Sequence, residues 1–322
     1  MAERVLVTGA AGFVGSHLVS LLRDAQPAAE VVCWRRPVRT GGRRSGRPVR
    51  TGRGDTNWRE VDLLERDAVD RAVAETQPQQ VYHCAGVAAV AGSWNERIPT
   101  LQVNVIGTEH LLAAVQRSSP TARVLLPGSA LVYRAHDGPL DELAEIGPVS
   151  PYGLSKLAQE MLASRYAADG LAVLLTRSFT HIGPGQEVSY AASSFAHQIA
   201  CIEAGRAEPT LQVGNLAARR DLLDVRDTVR AYRALMERGA PGTIYNVCSG
   251  TVHSIRDVLA ELLAQARVPI EVRVDPARLR PSDYPVLRGD RTRITAAVGW
   301  EPRLALHETL RDLLEGWRAA LG

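Results

Sequence analysis

The sequence predicts an α/β fold built on a doubly wound, mostly parallel sheet with a smaller interleaved α/β lobe. Short apolar runs alternate with stretches of helical periodicity as far as about residue 178. Strands that alternate with helices form parallel sheets, because each crossover helix packs on one face of the sheet. The first apolar run is followed at once by a glycine-rich turn and an apolar helical stretch, which is the order of a βαβ unit.

The predicted elements follow one another in a regular order. Apolar residues cluster in strands at 4–8, 30–34, 58–61, 80–84, 123–127, 171–176 and 243–248. They recur with the helical period at 13–24, 65–76, 100–117 and 151–168. After residue 178 glycine, proline and arginine become frequent, which predicts a smaller lobe that faces the substrate. Because the strand at 243–248 is expected to rejoin the main sheet, we assign 1–177 and 222–250 to one lobe and 178–221 and 251–322 to the other.

The composition is that of a soluble globular protein, since 45% of the 322 residues are hydrophobic and 23% are charged. The first strand begins at residue 4 and no apolar run approaches the ~20 residues of a membrane span. We therefore expect a cytoplasmic protein with no leader and no membrane partner. The histidines are scattered and the cysteines lack metal-ligand spacing, so we expect no metal and four buried free thiols: Cys33, Cys84, Cys201 and Cys248.

The basic residues are unevenly distributed. Residues 35–53 contain eight arginines and no acidic residue, and the hexapeptide Arg-Pro-Val-Arg-Thr-Gly occurs at 36–41 and again at 47–52. Glycine, proline and arginine at this density cannot bury a core, so we expect a flexible surface loop over 37–55. Contact with an anionic partner is an alternative role. The stretch lacks the interleaved aromatic residues of nucleic-acid-binding surfaces, so no nucleic-acid partner is expected.

The turn from Thr8 to Gly15 predicts a dinucleotide site of the Rossmann type, because it follows a first strand and opens a helix. Gly9 allows the tight turn. Gly12 lets the backbone approach a pyrophosphate, which lies at the positive start of the helix. Gly15 lets the helix pack closely on the strand. Cofactor contacts are therefore expected at Gly9, Gly12, Phe13, Val14 and Gly15.

The end of the second strand predicts which nicotinamide cofactor binds. An NAD enzyme normally carries an acidic residue there, which hydrogen-bonds the ribose 2′-hydroxyl. Here the strand ends in Arg35 and Arg36, and a guanidinium suits a 2′-phosphate. We predict NADP, bound as NADPH, with Arg35 as the favoured contact. NAD remains the alternative, because both arginines also begin the arginine-rich loop.

Tyr152 and Lys156 predict the reaction centre. They are four residues apart on a predicted helix and therefore share one face, and Pro151 suits the first turn of that helix. A cation beside a phenol favours the phenolate, so we expect Lys156 to lower the pKa of Tyr152 toward neutrality. Tyr152 would then serve as a general acid or base for a carbonyl and alcohol pair. Ser129 lies at the end of the preceding predicted strand, and its presence makes the pattern of Tyr152 and Lys156 a specific signal.

Motifs along essentially the whole chain match those of one family. The first half carries Thr8–Gly15, Asp62-Leu63, His83–Gly86, Asn104, Gly107-Thr108, Ser129, Tyr152 and Lys156. The second half carries Phe179–Gln186, Val213–Leu216, Arg220-Asp221, Asp224–Asp227, Tyr245–Gly250 and Leu279–Asp283. In these motifs the chain resembles the extended short-chain dehydrogenase/reductases of the NAD-dependent epimerase/dehydratase family, which act on nucleotide sugars. Within that family it is most similar to the GDP-mannose branch and its GDP-4-keto-6-deoxy-D-mannose reductases.

The resemblance implies catalytic and cofactor-binding roles for the matching residues. Ser129 would hydrogen-bond and polarise the sugar carbonyl. Tyr152 would deliver the proton, and Lys156 would hold the nicotinamide ribose and lower the pKa of Tyr152. The further cofactor contacts that the resemblance implies are Asp62 at the adenine amine, the Leu63 backbone beside it, Ala85, and Asn104, which would also hold helix and strand geometry.

The resemblance also implies how the substrate is bound. Arg220 and Arg280 would neutralise the pyrophosphate of a nucleotide sugar, and Asp283 would hold its ribose. The full set of implied substrate contacts is Ser129, Thr180, Asn215, Arg220, Arg280 and Asp283. Similar enzymes pair the helices at 100–117 and 151–168 in a four-helix bundle, so a homodimer is expected by analogy.

Two departures from the family pattern bear on the reaction. Related dehydratases place an acid two residues after the catalytic serine or threonine, where this chain has Leu131. A leucine cannot transfer a proton, which argues against 4,6-dehydration. The segment Ser129–Tyr133 departs from the reductases as well and is instead similar to that of 4-epimerases. Thr180 stands where the family usually has asparagine near the sugar phosphates, which indicates a weaker contact or a different substrate.

The sequence thus predicts NADPH-dependent reduction of the C4 keto group of a nucleotide-activated 4-keto-6-deoxyhexose, with GDP-4-keto-6-deoxy-mannose favoured. The alternatives are a nucleotide-sugar 4-epimerase with bound NAD, a 4,6-dehydratase, and a non-catalytic NADP sensor whose arginine-rich loop contacts an anionic partner. Epimerases usually retain NAD and return the hydride to the same sugar, so Arg35 and Arg36 favour net reduction. The complete set of Ser129, Tyr152 and Lys156 argues against a sensor.

Overall fold

The computed structural model describes residues 2–37, 57–88, 90–279 and 284–322, and of Ala91 only the backbone. Apart from Pro37, the predicted loop at 37–55 lies outside the described residues. The strands are β1 (Arg4–Thr8), β2 (Glu30–Arg35), β3 (Asn57–Glu60), β4 (Gln80–His83), β5 (Arg123–Pro127), β6 (Ala172–Ser178), β7 (Thr180–Ile182), β8 (Thr210–Val213), β9 (Arg219–Asp224), β10 (Ile244–Val247), β11 (Val252–Ser254), β12 (Glu271–Val274) and β13 (Val286–Leu287).

The helices lie between these strands and after them. They are α1 (Phe13–Ala25), α2 (Arg66–Thr76), α3 (Val90–Ser93), α4 (Arg97–Leu101), α5 (Gly107–Ser118), α6 (Pro151–Ala168), α7 (Ala191–Glu203), α8 (Val225–Arg238), α9 (Ile255–Ala264), α10 (Thr292–Val298) and α11 (Leu306–Leu321). A π-helical turn, Gln102–Ile106, joins α4 to α5.

In the described part of the chain, seven strands form one parallel sheet in the order β10-β6-β5-β4-β1-β2-β3. The chain winds outward from β1 to β3, returns to β4 beside β1, and winds outward in the other direction. The reversal between β1 and β4 leaves a crevice at the carboxyl ends of the strands. The predicted α/β fold is confirmed, and β10 joins the edge of the large sheet as predicted.

Two buried cores cover the two faces of this sheet. Val5 and Val7 of β1 face a core that Leu18 of α1 and Tyr232 of α8 close. Leu6, between those valines, faces the opposite core, which α2, α5 and α6 close. Because alternate residues of a strand face opposite sides, a strand that is covered on both faces is apolar throughout. This is why apolar runs were sufficient to predict the other six strands to within two residues, whereas the edge strand β3 is exposed or partly buried throughout.

The predicted helix at 100–117 differs most from the structure, because the π-helical turn interrupts it. Asn104 lies on this turn and is fully buried. Its side-chain amide donates to the Val87 carbonyl at 3.1 Å and to Ser155 Oγ at 2.9 Å, and its Oδ1 accepts from the Val87 amide at 2.8 Å. These contacts join the loop after β4 to α6. Because these partners are distant in sequence, the local hydrophobic periodicity could not predict the interruption of the helix.

The smaller lobe is built on short strands that the sequence analysis did not predict. β9 pairs with β7, β11 and β13, and β12 pairs with β8. α7, α9 and α11 enclose its core, which includes Phe195, Ile199, Leu211, Leu259 and Leu310. Asp224 ends β9 and begins α8 by accepting a hydrogen bond from the Arg226 amide at 2.7 Å. At Asp224 the chain therefore passes from the smaller lobe into α8, which packs against the large sheet.

The division of the chain into two lobes stays a prediction, and the packing adds one detail to it. Residues 251–322 were assigned to the smaller lobe. Ile294 and Val298 of α10, together with Trp300, instead pack in the core between the large sheet, α1 and α8. The indole nitrogen of Trp300 donates to the Asp227 carbonyl on α8 at 3.1 Å, which ties this segment to the large sheet.

Two of the predictions from composition concern absent features. No helix in the described ranges is long and apolar enough to span a bilayer. Among the described residues, no three side chains of His, Cys, Asp or Glu are grouped as metal ligands would be.

The four cysteines are free, but only Cys33 and Cys248 are buried. Cys84 and Cys201 are partly exposed, so the prediction of burial is wrong for these two.

Candidate active site

A cavity of about 1680 Å³ opens at the carboxyl ends of the central strands and reaches residues of the smaller lobe. Ligands of doubly wound sheets bind in this position, because the connections from neighbouring strands diverge there. The cavity wall brings together most of the predicted site residues: Gly9, Gly12, Phe13, Val14, Gly15, Arg35, Arg36, Asp62, Leu63, Ala85, Ser129, Tyr152, Thr180, Asn215 and Arg220. Arg280 and Asp283 lie outside the described residues.

The glycine turn forms the part of the cavity wall at the start of α1. Gly9 has a φ of +64°, and a Cβ atom there would lie 2.6 Å from the Ala85 nitrogen. Gly12 immediately precedes α1 and has no side chain that could cap it. The first amides of the helix are therefore left for a ligand. Gly15 packs on the Gly9 carbonyl so closely that any side chain would collide with it. The turn fits the pyrophosphate of a dinucleotide.

The two arginines at the end of β2 differ in how firmly they are held. The Arg35 guanidinium donates to Glu60 Oε1 at 2.9 Å and lies over the Trp58 ring, 5.8 Å from its centroid. Arg36 Nε is 3.8 Å from Asp62 Oδ2, and its side chain is 64% exposed. Both line the cavity. Arg36 is the less constrained of the two, whereas the sequence analysis favoured Arg35.

Ser129 and Tyr152 meet at the cavity wall. Ser129 follows β5, and its Oγ accepts a hydrogen bond from the Leu131 amide at 3.2 Å. Tyr152 lies in the first turn of α6, which Ser150 caps by accepting from the Gly153 amide at 3.0 Å. The side chains of Ser129 and Tyr152 are close enough for the Ser129 hydroxyl to lower the pKa of Tyr152. Such a pair can hydrogen-bond one carbonyl oxygen and supply it with a proton.

The pKa of Tyr152 differs from the sequence prediction. Burial raises this pKa to about 12, the neighbouring Ser129 hydroxyl lowers it in part, and the nearby Tyr190 raises it further. Lys156 was expected to lower the pKa and is not among these causes. The prediction considered the shared helix face but not the cost of burying a phenolate, which is larger here. Tyr152 therefore carries its proton at neutral pH.

Lys156 lies just behind the cavity wall and is 8% exposed. Its Nζ donates to the Pro127 carbonyl at 2.6 Å and to Gln159 Oε1. Burial lowers the pKa of Lys156 to about 8, against the opposing effects of Cys84 and Glu160. An ammonium has three N–H donors, so one is left for a ligand such as a ribose hydroxyl.

Lys156 is also distinguished by the composition of the chain. It is the only lysine in the sequence, and the other 37 of the 38 basic residues are arginines. A guanidinium is larger, planar and always charged, whereas an ammonium is compact and can lose its proton when it is buried. The one lysine of the sequence therefore stands at a buried position, where an ammonium is the more compact cation.

The predicted substrate contacts lie on the side of the smaller lobe. Thr180 begins β7, Asn215 follows β8, and Arg220 lies on β9. The Arg220 guanidinium donates to the Tyr284 carbonyl at 2.7 Å, which holds it at the cavity wall. Asn104, predicted to contact the cofactor, is fully buried and bridges the loop after β4 to α6. The structure thus supports its expected role in geometry and not a direct cofactor contact.

Two further cavity residues were not predicted from the sequence. The Tyr190 hydroxyl lies close enough to Tyr152 to raise its pKa, and it donates to the Ala88 carbonyl at 3.4 Å. The His181 ring is stacked on Phe13, with centroids 6.0 Å apart, and burial lowers its pKa to about 4. His181 lies within the matched segment Phe179–Gln186, which was the only signal available for it. No motif marked Tyr190.

The chain is similar to enzymes that act on nucleotide sugars. The family model of GDP-mannose 4,6 dehydratase matches residues 6–313. GDP-6-deoxy-D-mannose reductase from Pseudomonas aeruginosa is 35% identical, over 99% of this chain and 98% of that protein. UDP-glucose 4-epimerase from Bacillus subtilis is 27% identical, over 98% of this chain and 96% of that protein.

A solved structure is similar over the same length. The structure of RMD from Pseudomonas aeruginosa complexed with NADPH matches with a TM-score of 0.85 and 33% sequence identity. The match covers 99% of this chain and 100% of that chain. The fold is therefore shared with a protein whose structure was solved in complex with NADPH.

Proposed function

Because the chain belongs to the GDP-mannose 4,6 dehydratase family of extended short-chain dehydrogenase/reductases, we propose that it is a nucleotide-sugar reductase. The reaction is the NADPH-dependent reduction of the C4 keto group of a nucleotide-activated 4-keto-6-deoxyhexose, with GDP-4-keto-6-deoxy-mannose as the favoured substrate. The observation that carries the proposal is the hydroxyl pair of Ser129 and Tyr152 on the cavity, with Leu131 instead of an acid two residues beyond Ser129. The similarity to GDP-6-deoxy-D-mannose reductase supports the same substrate class.

The proposed mechanism assigns each catalytic side chain one task. When bound in the cavity, NADPH would supply the hydride for C4. Ser129 donates a hydrogen bond to the C4 oxygen and polarises the carbonyl. Tyr152 transfers its phenolic proton to that oxygen as negative charge develops there, and its raised pKa keeps the proton available at neutral pH. Lys156 donates a hydrogen bond to the nicotinamide ribose and so holds the cofactor beside the sugar.

The proposed cofactor site extends from the glycine turn to the end of β2. The amides at the start of α1 receive the pyrophosphate, and Asp62 with the Leu63 backbone receives the adenine. Arg36, with Arg35 beside it, binds the 2′-phosphate. Turning Arg36 from Asp62 to a phosphate costs little, because the existing contact is 3.8 Å long and exposed. The similarity to a structure that contains NADPH supports this choice of cofactor, and NAD remains the alternative.

The proposed substrate site faces the cofactor from the smaller lobe. Thr180 and Asn215 contact the sugar phosphates, and Arg220 neutralises the pyrophosphate together with Arg280. Asp283 holds the nucleotide ribose. The position of Arg220 on the cavity wall supports this assignment. Arg280 and Asp283 are proposed from the sequence resemblance alone.

A nucleotide-sugar 4-epimerase with bound NAD is the second candidate. The segment Ser129–Tyr133 is similar to that of 4-epimerases, and UDP-glucose 4-epimerase from Bacillus subtilis is a relative over nearly the whole chain. An epimerase would be purified with its cofactor attached and would cause no net oxidation of NADPH. A 4,6-dehydratase is disfavoured, because Leu131 occupies the position of its acid.

The test is the decrease in NADPH absorbance on addition of GDP-4-keto-6-deoxy-mannose, which a separate dehydratase generates in the same cuvette. NADH is measured in parallel. We expect rapid oxidation of NADPH and slower oxidation of NADH. If neither cofactor is oxidised and the purified protein carries bound NAD, the epimerase is the better assignment.

We further propose that the protein is a homodimer in the cytoplasm. Apolar side chains are exposed on α4, the π-helical turn and α6, as a helical dimer interface requires: Ile98, Leu101, Ile106, Leu154 and Met161. The free cysteines fit a reducing compartment. Fractionation of cells that express the protein, followed by immunoblotting, tests the location.

A further inference from the structure

A buried chain of hydrogen bonds runs from Lys156 to the glycine turn. Gln159 Oε1 accepts from Lys156 Nζ, and Gln159 Nε2 donates to Thr108 Oγ1 at 2.7 Å. Thr108 Oγ1 is 2.9 Å from His83 Nε2, and His83 Nδ1 is 2.8 Å from Thr8 Oγ1. All five residues are at most 8% exposed. The chain joins α6, α5 and the carboxyl ends of β4 and β1.

The donors and acceptors of this chain have one consistent assignment. Thr108 donates its hydroxyl proton to the Asn104 carbonyl at 2.7 Å, so its oxygen can only accept from Gln159 and His83. His83 therefore carries its proton on Nε2 and accepts at Nδ1 from Thr8. A neutral ring is required for this pattern, and burial lowers the pKa of His83 to about 3. The Gln159 amide is consequently locked with its nitrogen toward Thr108 and its oxygen toward Lys156.

We propose that Gln159 is a positioning residue for Lys156, whose amide oxygen fixes the ammonium at the cofactor ribose and keeps it charged. Gln159 does not line the described cavity and acts only through Lys156. The locked amide presents an acceptor that cannot rotate away, unlike a surface glutamine or a water molecule. The cofactor part of this proposal rests on the proposed function, whereas the orientation and charge of Lys156 do not.

The other titratable groups around Lys156 are not among the hydrogen-bond partners of its ammonium. His83 and Cys84 face it from the end of β4, but His83 is neutral and burial raises the pKa of Cys84 to about 12. Glu160 lies next to Gln159 on α6, and its carboxylate is bound by the Arg177 guanidinium at 2.7 Å and 2.9 Å. Tyr152 is protonated. Cys84 and Glu160 oppose only part of the effect of burial on the pKa of Lys156. The hydrogen-bond acceptors that the ammonium contacts are the Pro127 carbonyl and the Gln159 amide oxygen.

The single lysine makes a direct test possible. Lysine labelled with carbon-13 at Cε gives one side-chain resonance, which belongs to Lys156 without further assignment. Its pH titration in the cofactor-free protein is compared between the wild type, Gln159→Leu and Gln159→Glu. We expect the wild-type resonance to titrate near pH 8. Leucine removes an acceptor from the ammonium and should lower the pKa by about one unit or more, whereas glutamate adds a negative charge and should raise it by a similar amount.

Two further variants separate positioning from general damage to the fold. Thr108→Val removes the lock on the amide and should lower the pKa of Lys156 by less than Gln159→Leu does. Gln198→Leu is the matched control, because Gln198 is a half-buried helix glutamine that is hydrogen-bonded to Gln212 and lies on α7. It should leave the Lys156 titration unchanged.

Binding of NADPH, followed by nicotinamide fluorescence, gives the second readout. Gln159→Leu should weaken it about tenfold, and Gln159→Glu should weaken it less. Shifts of the same sign in both Gln159 variants, or an unchanged Lys156 pKa in Gln159→Leu, would overturn the proposal. If the wild type fails to oxidise NADPH with the sugar while the opposite shifts are observed, the proposed function fails and the role of Gln159 stands.

Discussion

Ser129 and Tyr152 lie together on the cavity wall, close enough for Ser129 to lower the pKa of Tyr152, although they come from different elements, the end of β5 and the first turn of α6. β5 places Ser129 at the carboxyl edge of the sheet, and the cap at Ser150 sets where α6 begins. The pair is therefore held in position by the large sheet and not by a mobile loop. This relationship makes the role of Tyr152 testable without loss of the fold.

Tyr152→Phe should reduce the rate of sugar reduction by about 10²- to 10⁴-fold, because it removes the proton donor and nothing else. Binding of NADPH should be nearly unchanged. Steady-state kinetics and nicotinamide fluorescence measure the two effects. Tyr166→Phe is the matched control on the same helix, since the Tyr166 hydroxyl donates to Glu109. Full activity of Tyr152→Phe would contradict the assignment.

The reduction should become slower as the pH rises above about 8. The pKa of Lys156 is lowered to about 8 by burial, so the ammonium loses its proton as the pH passes that value. The phenol of Tyr152 stays protonated until about pH 12 and does not account for the decline. A profile of kcat/KM between pH 6 and 10 measures this, with the stability of the enzyme checked at each pH. A profile that stays flat to pH 10 would show that the charge of Lys156 is not required.

Arg36→Ser should weaken NADPH binding about tenfold or more and leave NADH binding unchanged, because only NADPH carries the 2′-phosphate. Arg35→Ser should have a smaller effect, since its guanidinium already interacts with Glu60 and Trp58. Arg59→Ser is the control, because Arg59 lies on the neighbouring β3 and donates to Glu75 at 2.8 Å. Fluorescence titration with both cofactors distinguishes the variants. An equal loss for NADH and NADPH in Arg36→Ser would rule out a 2′-phosphate contact.

Arg177→Met should destabilise the protein by about 3–5 kcal/mol, because it leaves the Glu160 carboxylate buried without a partner. The two side chains are only 5% and 7% exposed, and the guanidinium also lies over the Tyr133 ring, 4.7 Å from its centroid. Urea unfolding followed by circular dichroism measures the change. The double variant Arg177→Met with Glu160→Leu should recover part of the loss. A single variant that is as stable as the wild type would contradict this account.

The sequence was a good guide where local pattern and physical requirement coincide. β1, β2, β4, β5, β6 and β10 are covered on both faces, so their apolar runs were sufficient, and Gly9 and Gly15 are required by close backbone contacts. The strands of the smaller lobe were not predicted, because β9 contains Arg219, Arg220 and Asp221 and is defined by pairing with distant segments.

The chemistry of the site was harder to predict than its residues. The four-residue spacing of Tyr152 and Lys156 indicated a shared face, but not that Lys156 would be held by Pro127 and Gln159. These partners lie at the end of β5 and one turn further along α6, and the distance to β5 is set only by tertiary packing. For the same reason the raised pKa of Tyr152 depends on burial that local sequence does not report.

Met161→Arg should convert the proposed dimer into a monomer. Leu154 and Met161 are two helical turns apart on α6 and are 52% and 66% exposed, and Ile98 on the adjacent α4 is 70% exposed. In a two-fold symmetric interface each substitution occurs twice, so Met161→Arg would place two like charges in an apolar contact. Sedimentation velocity measures the mass of the particle. Leu143→Arg is the control, because Leu143 is 83% exposed and lies outside these helices. It should leave the mass unchanged, whereas a dimer that persists in Met161→Arg would place the interface elsewhere.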